Sequence, residues 1–383
     1  MVEGTCLENK RLFTGSVSSN LTASAKLLKK ENLCDIIFYM KLNQSRAALL
    51  VLFLLILLSP VMAHAHEQYV LTKSEINSDL MVQGPSVWSA LDKAENLKIA
   101  LIVAIASLLA FILYFFWERS SLDKKFEKWT SKLEPFGHVV LRTALALSLI
   151  ASAHFSSFLG PEIPLASIPL GLALKPVMYV LGGMLLFGFY SELAGALSLV
   201  ILVLATWVYK DYMLSYFNYL GEFVALILFG SRTFSFDRMF YGVKAWGEKY
   251  RKYELALIRI TYGISVLYPA IVYKLIHPEV IIDIVNRYNL TQFHWLFSSD
   301  PLLISLGTGL AQVVVGICLI FGFETRLNTL ITFILMTMSV LFFKEAVWPH
   351  WILLALAFYL MINNGGELSL DHYIQNRKKL KNA

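Results

Sequence analysis

Long apolar runs alternate with short polar segments along most of this chain. Several runs approach or exceed the roughly 18–20 apolar residues that a helix needs to cross a bilayer. From residue 97 onward we predict nine such spans, at 97–117, 137–155, 177–190, 193–209, 213–230, 255–276, 301–321, 328–343 and 350–363. The pattern predicts an all-α membrane protein with one first span followed by two groups of four.

The two groups of four spans share the same turn residues and the same closing residues. Residues 182–237 align without a gap with residues 316–371. In that alignment Gly188-Phe189 falls on Gly322-Phe323, and Ser235-Phe236-Asp237 falls on Ser369-Leu370-Asp371. A repeat of this size indicates a duplicated structural unit. Because four spans per unit is an even number, we predict that the units, 137–240 and 255–373, have the same orientation in the membrane.

The N-terminal part reads as a signal for export. Residues 40–65 contain a basic start, an apolar stretch and an Ala-His-Ala cleavage site, which together are typical of a signal peptide. We therefore predict that 1–39 is a non-native upstream extension or disordered, and that 66–96 is a short periplasmic segment. The alternative is a genuine extension in which 47–62 remains as a short anchor.

Composition and charge fit this picture. The chain is 57% hydrophobic and 16% charged, with a mean hydropathy of +0.61. Its net charge of +6 comes from basic residues in short segments between apolar runs, a pattern typical of membrane topology and not of nucleic-acid binding. The Lys and Arg distribution predicts an inner-membrane protein with the mature N-terminus outside, a cytoplasmic interfacial linker helix at 241–254, and a basic cytoplasmic tail at 374–383.

The sharpest candidate for function is Glu222, which lies near the middle of a predicted span. Ser215, Asn218 and Glu222 recur at helical spacing and form one polar stripe on an otherwise apolar helix. An ionisable residue at that depth is a functional candidate, because it is costly to keep in the membrane. The alternative is a structural ion pair with Arg142, which helical rise places at a similar depth.

Other polar residues in the spans have structural explanations. Arg142 and Arg259 lie near the cytoplasmic ends of their spans and are further candidates for a functional role inside the membrane. The structural alternative is that their side chains reach to the headgroups. Ser305, Thr308 and Gln312 form a second stripe, for which hydrogen bonds between helices are the usual role. Ser235 and Ser369 each precede a basic amphipathic segment and are predicted helix N-caps.

The histidines gather on the predicted outer face, at His154, His277, His294 and His350. Such a set suggests a proton or metal site, but the spacings match no ligand motif, so we predict interfacial placement and no metal. The three cysteines form no Cys-x-x-Cys pair, and no motif of soluble-type catalysis is present. Whether the protein is an enzyme stays open.

The repeated unit resembles the DoxX/DoxD family of small four-helix membrane proteins. The motifs behind this resemblance are an Arg early in the first span, the Gly-Phe turn, and the closing run Gly365-Gly366-Glu367-Leu368-Ser369-Leu370-Asp371. Family members often carry a Glu in the last span. Glu222 fits in the first unit, whereas the aligned residue in the second unit is Leu356.

Two functions follow from these observations. The resemblance implies the membrane subunit of a quinone-linked redox system at the outer face, with a quinone as cofactor and a soluble or peripheral oxidoreductase subunit as partner. The alternative is a transport, structural or assembly protein with no catalytic activity, in which the two units frame a path lined by Ser215, Asn218, Glu222 and Gln312.

Overall fold

The computed structural model describes residues 71–381, apart from 72, 83, 118–120, 231–233, 242–246, 293–298 and 344–346. Within these residues the chain is helical and has no strand; its one β-type contact is an isolated bridge between Ser157 and Pro164. The predicted all-α class is therefore confirmed for the described part of the chain. The predictions about 1–39, the signal peptide at 40–65 and His294 fall outside it.

The described α-helices number thirteen. They are α1 (Lys73–Met81), α2 (Ala94–Trp117), α3 (Ser121–Thr130), α4 (Glu134–Phe155), α5 (Gly171–Phe187), α6 (Ser191–Tyr209), α7 (Phe217–Phe229), α8 (Glu254–Pro269), α9 (Glu279–Arg287), α10 (Pro301–Phe321), α11 (Thr325–Phe343), α12 (Val347–Asn363) and α13 (Leu370–Lys381). Short 3₁₀ or π segments extend several of them, among them Lys210–Tyr216 before α7 and Ala270–Ile276 after α8.

Four helical runs in the described residues are long and apolar enough to cross a membrane: Phe136–Phe155, Ser191–Phe229, Glu248–Ile276 and Pro301–Phe321. The second run contains α6, a 3₁₀ segment and α7, and α6 packs against α7. Two shorter apolar helices are also present, at Gly171–Phe187 and Trp348–Asn363. The apolar helices of the described residues are those expected of a multi-pass membrane protein, and the count of nine spans stays a prediction.

Tight turns link the helices of each half. Gly188 ends α5 and Gly322 ends α10, both with a left-handed backbone (φ 64° and 65°) that glycine adopts without strain. Each glycine N–H returns to a carbonyl of the last helical turn, and so does the next residue's N–H. A side chain at either glycine would also collide with a nearby serine and arginine. These are the predicted Gly-Phe turns.

Eight of the helices pack on one another in a closed order. Helix α4 packs on α5, α5 on α6, α6 on α7, α7 on α8, α8 on α10, α10 on α11, α11 on α12, and α12 returns to α4. The first helix of each sequence unit therefore contacts the last helix of the other, at the α4–α12 and α7–α8 interfaces. These interfaces contain most of the polar residues discussed below.

The ends of this helix ring are covered by irregular structure. The segment between α4 and α5 buries Phe158, Leu159, Ile163 and Leu165 completely, so this proline-rich cap rests on protein. Near the start of α10, Asp300 accepts hydrogen bonds from Lys93 and Asn96, and thereby attaches the segment before α2. Helix α2 itself exposes residues 101–109 on all sides, which is the pattern of a helix surrounded by lipid.

Candidate functional site

Arg259 is held entirely by backbone carbonyls. Its guanidinium donates to Leu319 and Ile320 at the end of α10 (2.6 Å to the latter), and to Gly365 (3.2 Å) and Leu368 (3.1 Å) after α12. The residue has no exposed surface. The prediction that this side chain reaches the headgroups is therefore wrong, because helix ends and loops expose carbonyls that only an internal donor can satisfy.

Arg142 makes a similar contact in the first half. It is 6% exposed, and its guanidinium donates to the carbonyl of Phe234 at 2.8 Å. The same group lies beside the turn at Gly188, as Arg259 lies beside Gly322. The headgroup interpretation is wrong here too, since the arginine is directed to the loop that follows α7.

Asp237 and Asp371 tie the end of each half to its Gly-Phe turn. The Asp371 carboxylate accepts from the backbone N–H groups of Glu324 (2.8 Å) and Thr325 (3.1 Å), where α11 begins. Asp237 accepts from Tyr190 (2.8 Å) and Ser191 (3.1 Å) at the start of α6. Carboxylates stabilise helix N-termini through free N–H groups and the helix dipole.

The two serines cap the helical segments that follow them. Ser235 accepts from the N–H of Arg238 (3.3 Å), and Ser369 accepts from the N–H of His372 (3.1 Å). The N-cap prediction is confirmed for both serines. The aspartates two residues later act on the preceding Gly-Phe turn, which the sequence alone did not reveal.

Glu222 lies in α7 and is 2% exposed. One carboxylate oxygen accepts a long hydrogen bond (3.5 Å) from Asn218, one turn earlier, and the other has no hydrogen-bond partner. The alternative of an ion pair with Arg142 is not seen, because the arginine donates to the Phe234 carbonyl and Glu222 accepts from Asn218. A buried carboxylate with an unsatisfied oxygen is costly, which makes its presence hard to explain by stability alone.

Glu222 and Arg142 nevertheless share a cavity, which we call the arginine-side cavity. It is also lined by His138 of α4 and Glu254 of α8, and it is large enough for about one or two water molecules. His138 Nδ1 lies 3.8 Å from the Glu254 carboxylate, and its side chain is 20% exposed. Four ionisable side chains from three helices therefore surround this space.

A second small cavity lies on the other side of Asn218, and we call it the tyrosine-side cavity. Its polar lining comes from α7, the 3₁₀ segment before it, α8 and α10, and consists of Ser215, Tyr216, Asn218, Tyr219, Ser265 and Gln312. It too has room for about one water molecule. The predicted stripe of α7 and the predicted stripe of α10 thus meet at one place.

The α10 stripe also makes the predicted hydrogen bonds between helices. Gln312 donates to the carbonyl of Val266 (3.1 Å), and Ser305 donates to the carbonyl of Lys274 (2.8 Å). Lys274 precedes Pro278 by four residues, and proline has no N–H to offer that carbonyl. Thr308 instead bonds to Ile304 within its own helix.

Glu162, in the cap between α4 and α5, is a site that sequence reasoning missed. Both Tyr216 and Tyr212 donate their hydroxyls to the same carboxylate oxygen, the latter at 3.2 Å. The other oxygen is buried without a hydrogen-bond partner. Burial raises the pKa of Glu162 to about 7, although the hydrogen bonds from Tyr216, its own backbone and Tyr212 act to lower it.

A signal for this site was present in the sequence. Glu162 is the one acidic residue in the apolar, proline-rich stretch 160–176. Tyr209, Tyr212, Tyr216 and Tyr219 recur every three or four residues, which places their rings on one side of a helical segment. Neighbouring members of this series are in ring contact. The contact between Glu162 and this tyrosine series joins parts of the chain that are distant in sequence, so spacing alone could not predict it.

The histidines predicted for the outer face differ in burial where the structure describes them. His154 is exposed at the end of α4, whereas His350 is fully buried in the first turn of α12. His294 falls outside the described residues. Among the residues described, no group of three potential metal ligands comes together.

Comparison of the chain with protein families, with curated proteins and with solved structures found no match. The candidate site therefore stands on its own geometry.

Proposed function

We propose that this protein transports a small hydrophilic species across the membrane along a path between α7 and its neighbouring helices. The path, which we call the polar track, consists of the tyrosine-side cavity, the Asn218–Glu222 pair and the arginine-side cavity. Glu222 carries the proposal: it is a buried carboxylate with an unsatisfied oxygen, it lines one space of water size, and its partner Asn218 lines another. In a membrane segment such a residue marks an ion or substrate path by default.

The arrangement of the helices supports this role. Asn218 lines the tyrosine-side cavity and donates to Glu222, which lines the arginine-side cavity. The two cavities are therefore connected through one hydrogen-bonded pair of side chains on α7. Polar groups that follow one another along a helix interface give a hydrophilic species a continuous set of partners.

We further propose that the protein is built from two DoxX-like units with the same orientation, and that it spans the membrane nine times with its C-terminus in the cytoplasm. Matched contacts support the duplication. Arg142 and Arg259, Gly188 and Gly322, and Asp237 and Asp371 make corresponding interactions in the two halves. The site is confined to one of the two equivalent interfaces, since Leu356 aligns with Glu222.

The quinone-linked redox subunit implied by the DoxX resemblance ranks second. It stays a prediction from sequence motifs, together with its quinone cofactor and its oxidoreductase partner. The two functions differ in what accompanies the purified protein: the redox subunit would retain quinone after mild detergent extraction, which mass spectrometry detects, and a transporter has no such requirement.

The transport proposal requires that water enters the polar track. Radiolytic hydroxyl labelling of the protein in lipid nanodiscs detects water beside a methionine as oxidation of that methionine. Met336 lines the tyrosine-side cavity, whereas Met338 of the same helix is 57% exposed on the apolar surface that lipid would cover. We expect faster oxidation of Met336 than of Met338, and loss of that difference when Ser265→Leu fills the cavity. Equal oxidation of the two methionines in the unmodified protein would contradict the proposal.

A further inference from the structure

We propose that the species moved along the polar track is the proton, and that Glu162 is the group through which it enters. This inference rests on the proposed transport function and names its substrate. It adds Glu162 to the path and assigns the two ends of the path. Glu162 and Tyr216 form the entry, and the His138–Glu254 pair forms the exit.

The entry end is defined by Tyr216. Its hydroxyl donates to Glu162, and the same residue lines the tyrosine-side cavity. Tyr212 also donates to Glu162 but does not line that cavity. Tyr216 is therefore the link between the carboxylate in the cap and the interior of the helix ring. The second oxygen of Glu162, which has no hydrogen-bond partner, remains for the incoming proton.

The exit end is the arginine-side cavity. Beyond Glu222, the ionisable groups facing it are Arg142 and His138 from α4 and Glu254 from α8. Arg142 is directed to the Phe234 carbonyl and stays charged, so it does not carry the proton. His138 and Glu254 lie 3.8 Å apart, and the imidazole is partly exposed at the protein surface near the start of α4. Imidazole and carboxylate are the side chains that exchange protons near neutral pH.

The relay is balanced at every step. Glu162 takes a proton from solvent and its carboxyl group turns to present that proton to the Tyr216 oxygen. The Tyr216 hydroxyl turns away from Glu162 and gives its own proton to water in the tyrosine-side cavity, which leaves Glu162 ionised again. Glu222 takes that proton when its carboxyl group turns past Asn218 to the water, and it releases the proton to water in the arginine-side cavity, and on to the His138–Glu254 pair, when it turns back. Each side chain returns to its first state, and one proton has moved down its electrochemical gradient.

The dimensions of the track favour the proton over other ions. Each cavity admits about one or two waters, and they are separated by the Asn218–Glu222 contact. A hydrated metal ion would need both side chains to move aside, or would need a ring of ligands to replace its water. A proton needs only water and groups that can take up and release it, which Tyr216, Glu222 and the His138–Glu254 pair supply.

The test is proton flux into liposomes that contain the full-length protein and a trapped pH-sensitive dye, driven by a potassium diffusion potential. We expect the wild type to exceed protein-free liposomes, and Glu222→Gln to fall to the protein-free rate. Glu222→Asp keeps a carboxylate and should restore part of the flux. Glu248→Gln makes the same chemical change at an exposed residue outside the track and should leave the flux unchanged.

The entry step has its own comparison. Glu162→Gln and Tyr216→Phe should both reduce flux strongly, and Tyr212→Phe should reduce it less, because that hydroxyl contacts Glu162 without reaching the cavity. Each variant is first checked for folding by size-exclusion chromatography, and Tyr216→Phe decides the outcome if a Glu222 variant does not fold. Wild-type flux at the protein-free rate, or full flux in Glu222→Gln, would overturn the inference. Methionine labelling as predicted above, combined with absent proton flux, would leave transport of another species standing.

Discussion

Replacing Arg259 tests whether this buried cation acts as a structural clamp. In Arg259→Met four backbone carbonyls lose their donor: Leu319, Ile320, Gly365 and Leu368. A buried acceptor left unsatisfied costs about 1–3 kcal/mol, and the low end of that range for all four gives a loss of about 4 kcal/mol in unfolding free energy. Arg259→Lys retains the charge but not the planar fan of donors, so we expect a loss of about 2 kcal/mol.

The assay is unfolding of purified protein in mixed micelles, followed by circular dichroism, with Arg251→Lys as the matched control. Arg251 is exposed and pairs with Glu248 three residues earlier, so this change should alter stability by less than about 0.5 kcal/mol. Arg259 does not line the polar track, and proton flux per folded molecule should survive Arg259→Lys. A change below about 1 kcal/mol in Arg259→Met would refute the clamp.

Three further predictions concern the ends of the helices. The pKa of Glu162 is about 7 in the folded state, against an ordinary value of 4.5. The unfolding free energy should therefore decline by about 3 kcal/mol as the pH rises across that interval. In unfolding curves measured over a series of pH values, Glu162→Gln should abolish the decline. Burial acts to raise the pKa of Asp300, but hydrogen bonds from Lys93, Asn96 and the Leu302 N–H, together with the Lys93 charge, outweigh it and lower this pKa. The unfolding free energy should therefore fall as the pH drops through the lowered pKa. Asp300→Asn should not show this loss of stability in acid. Asp371→Ala should lower the unfolding free energy by about 1–2 kcal/mol, because the N–H groups at the start of α11 lose their acceptor. Asp237→Ala should cause a similar loss at the start of α6. An unchanged melting temperature in either variant would argue against capping.

Local sequence signals were enough for most of the fold. Apolar runs predicted the apolar helices of the structure but not the short helices α1, α3 and α9. Gly188 and Gly322 marked turns because glycine tolerates a left-handed backbone. The stripe of Ser215, Asn218 and Glu222 correctly placed three polar residues on one side of α7 and its preceding segment. Helical periodicity is a local property, so spacing alone suffices for such features.

The remaining features depend on contacts between distant parts of the chain. Glu162 and Tyr216 meet because the cap after α4 folds over the start of α7, and His138 meets Glu254 because α4 and α8 approach one cavity. Arg259 points inward because loops distant in sequence present their carbonyls to it. The order of the spans along the chain gives each residue a depth in the membrane. It does not determine which helices are neighbours.

The central claim is that Glu222 is a buried carboxyl in contact with water, and infrared difference spectroscopy of the protein in lipid tests it most directly. We expect a carboxyl band that responds to a pH change, shifts promptly in D₂O, disappears in Glu222→Gln and persists in Glu248→Gln. Prompt exchange would mean that water reaches a side chain that is 2% exposed, through the cavities beside it. A Glu222 band that neither responds to pH nor exchanges with D₂O would contradict the account.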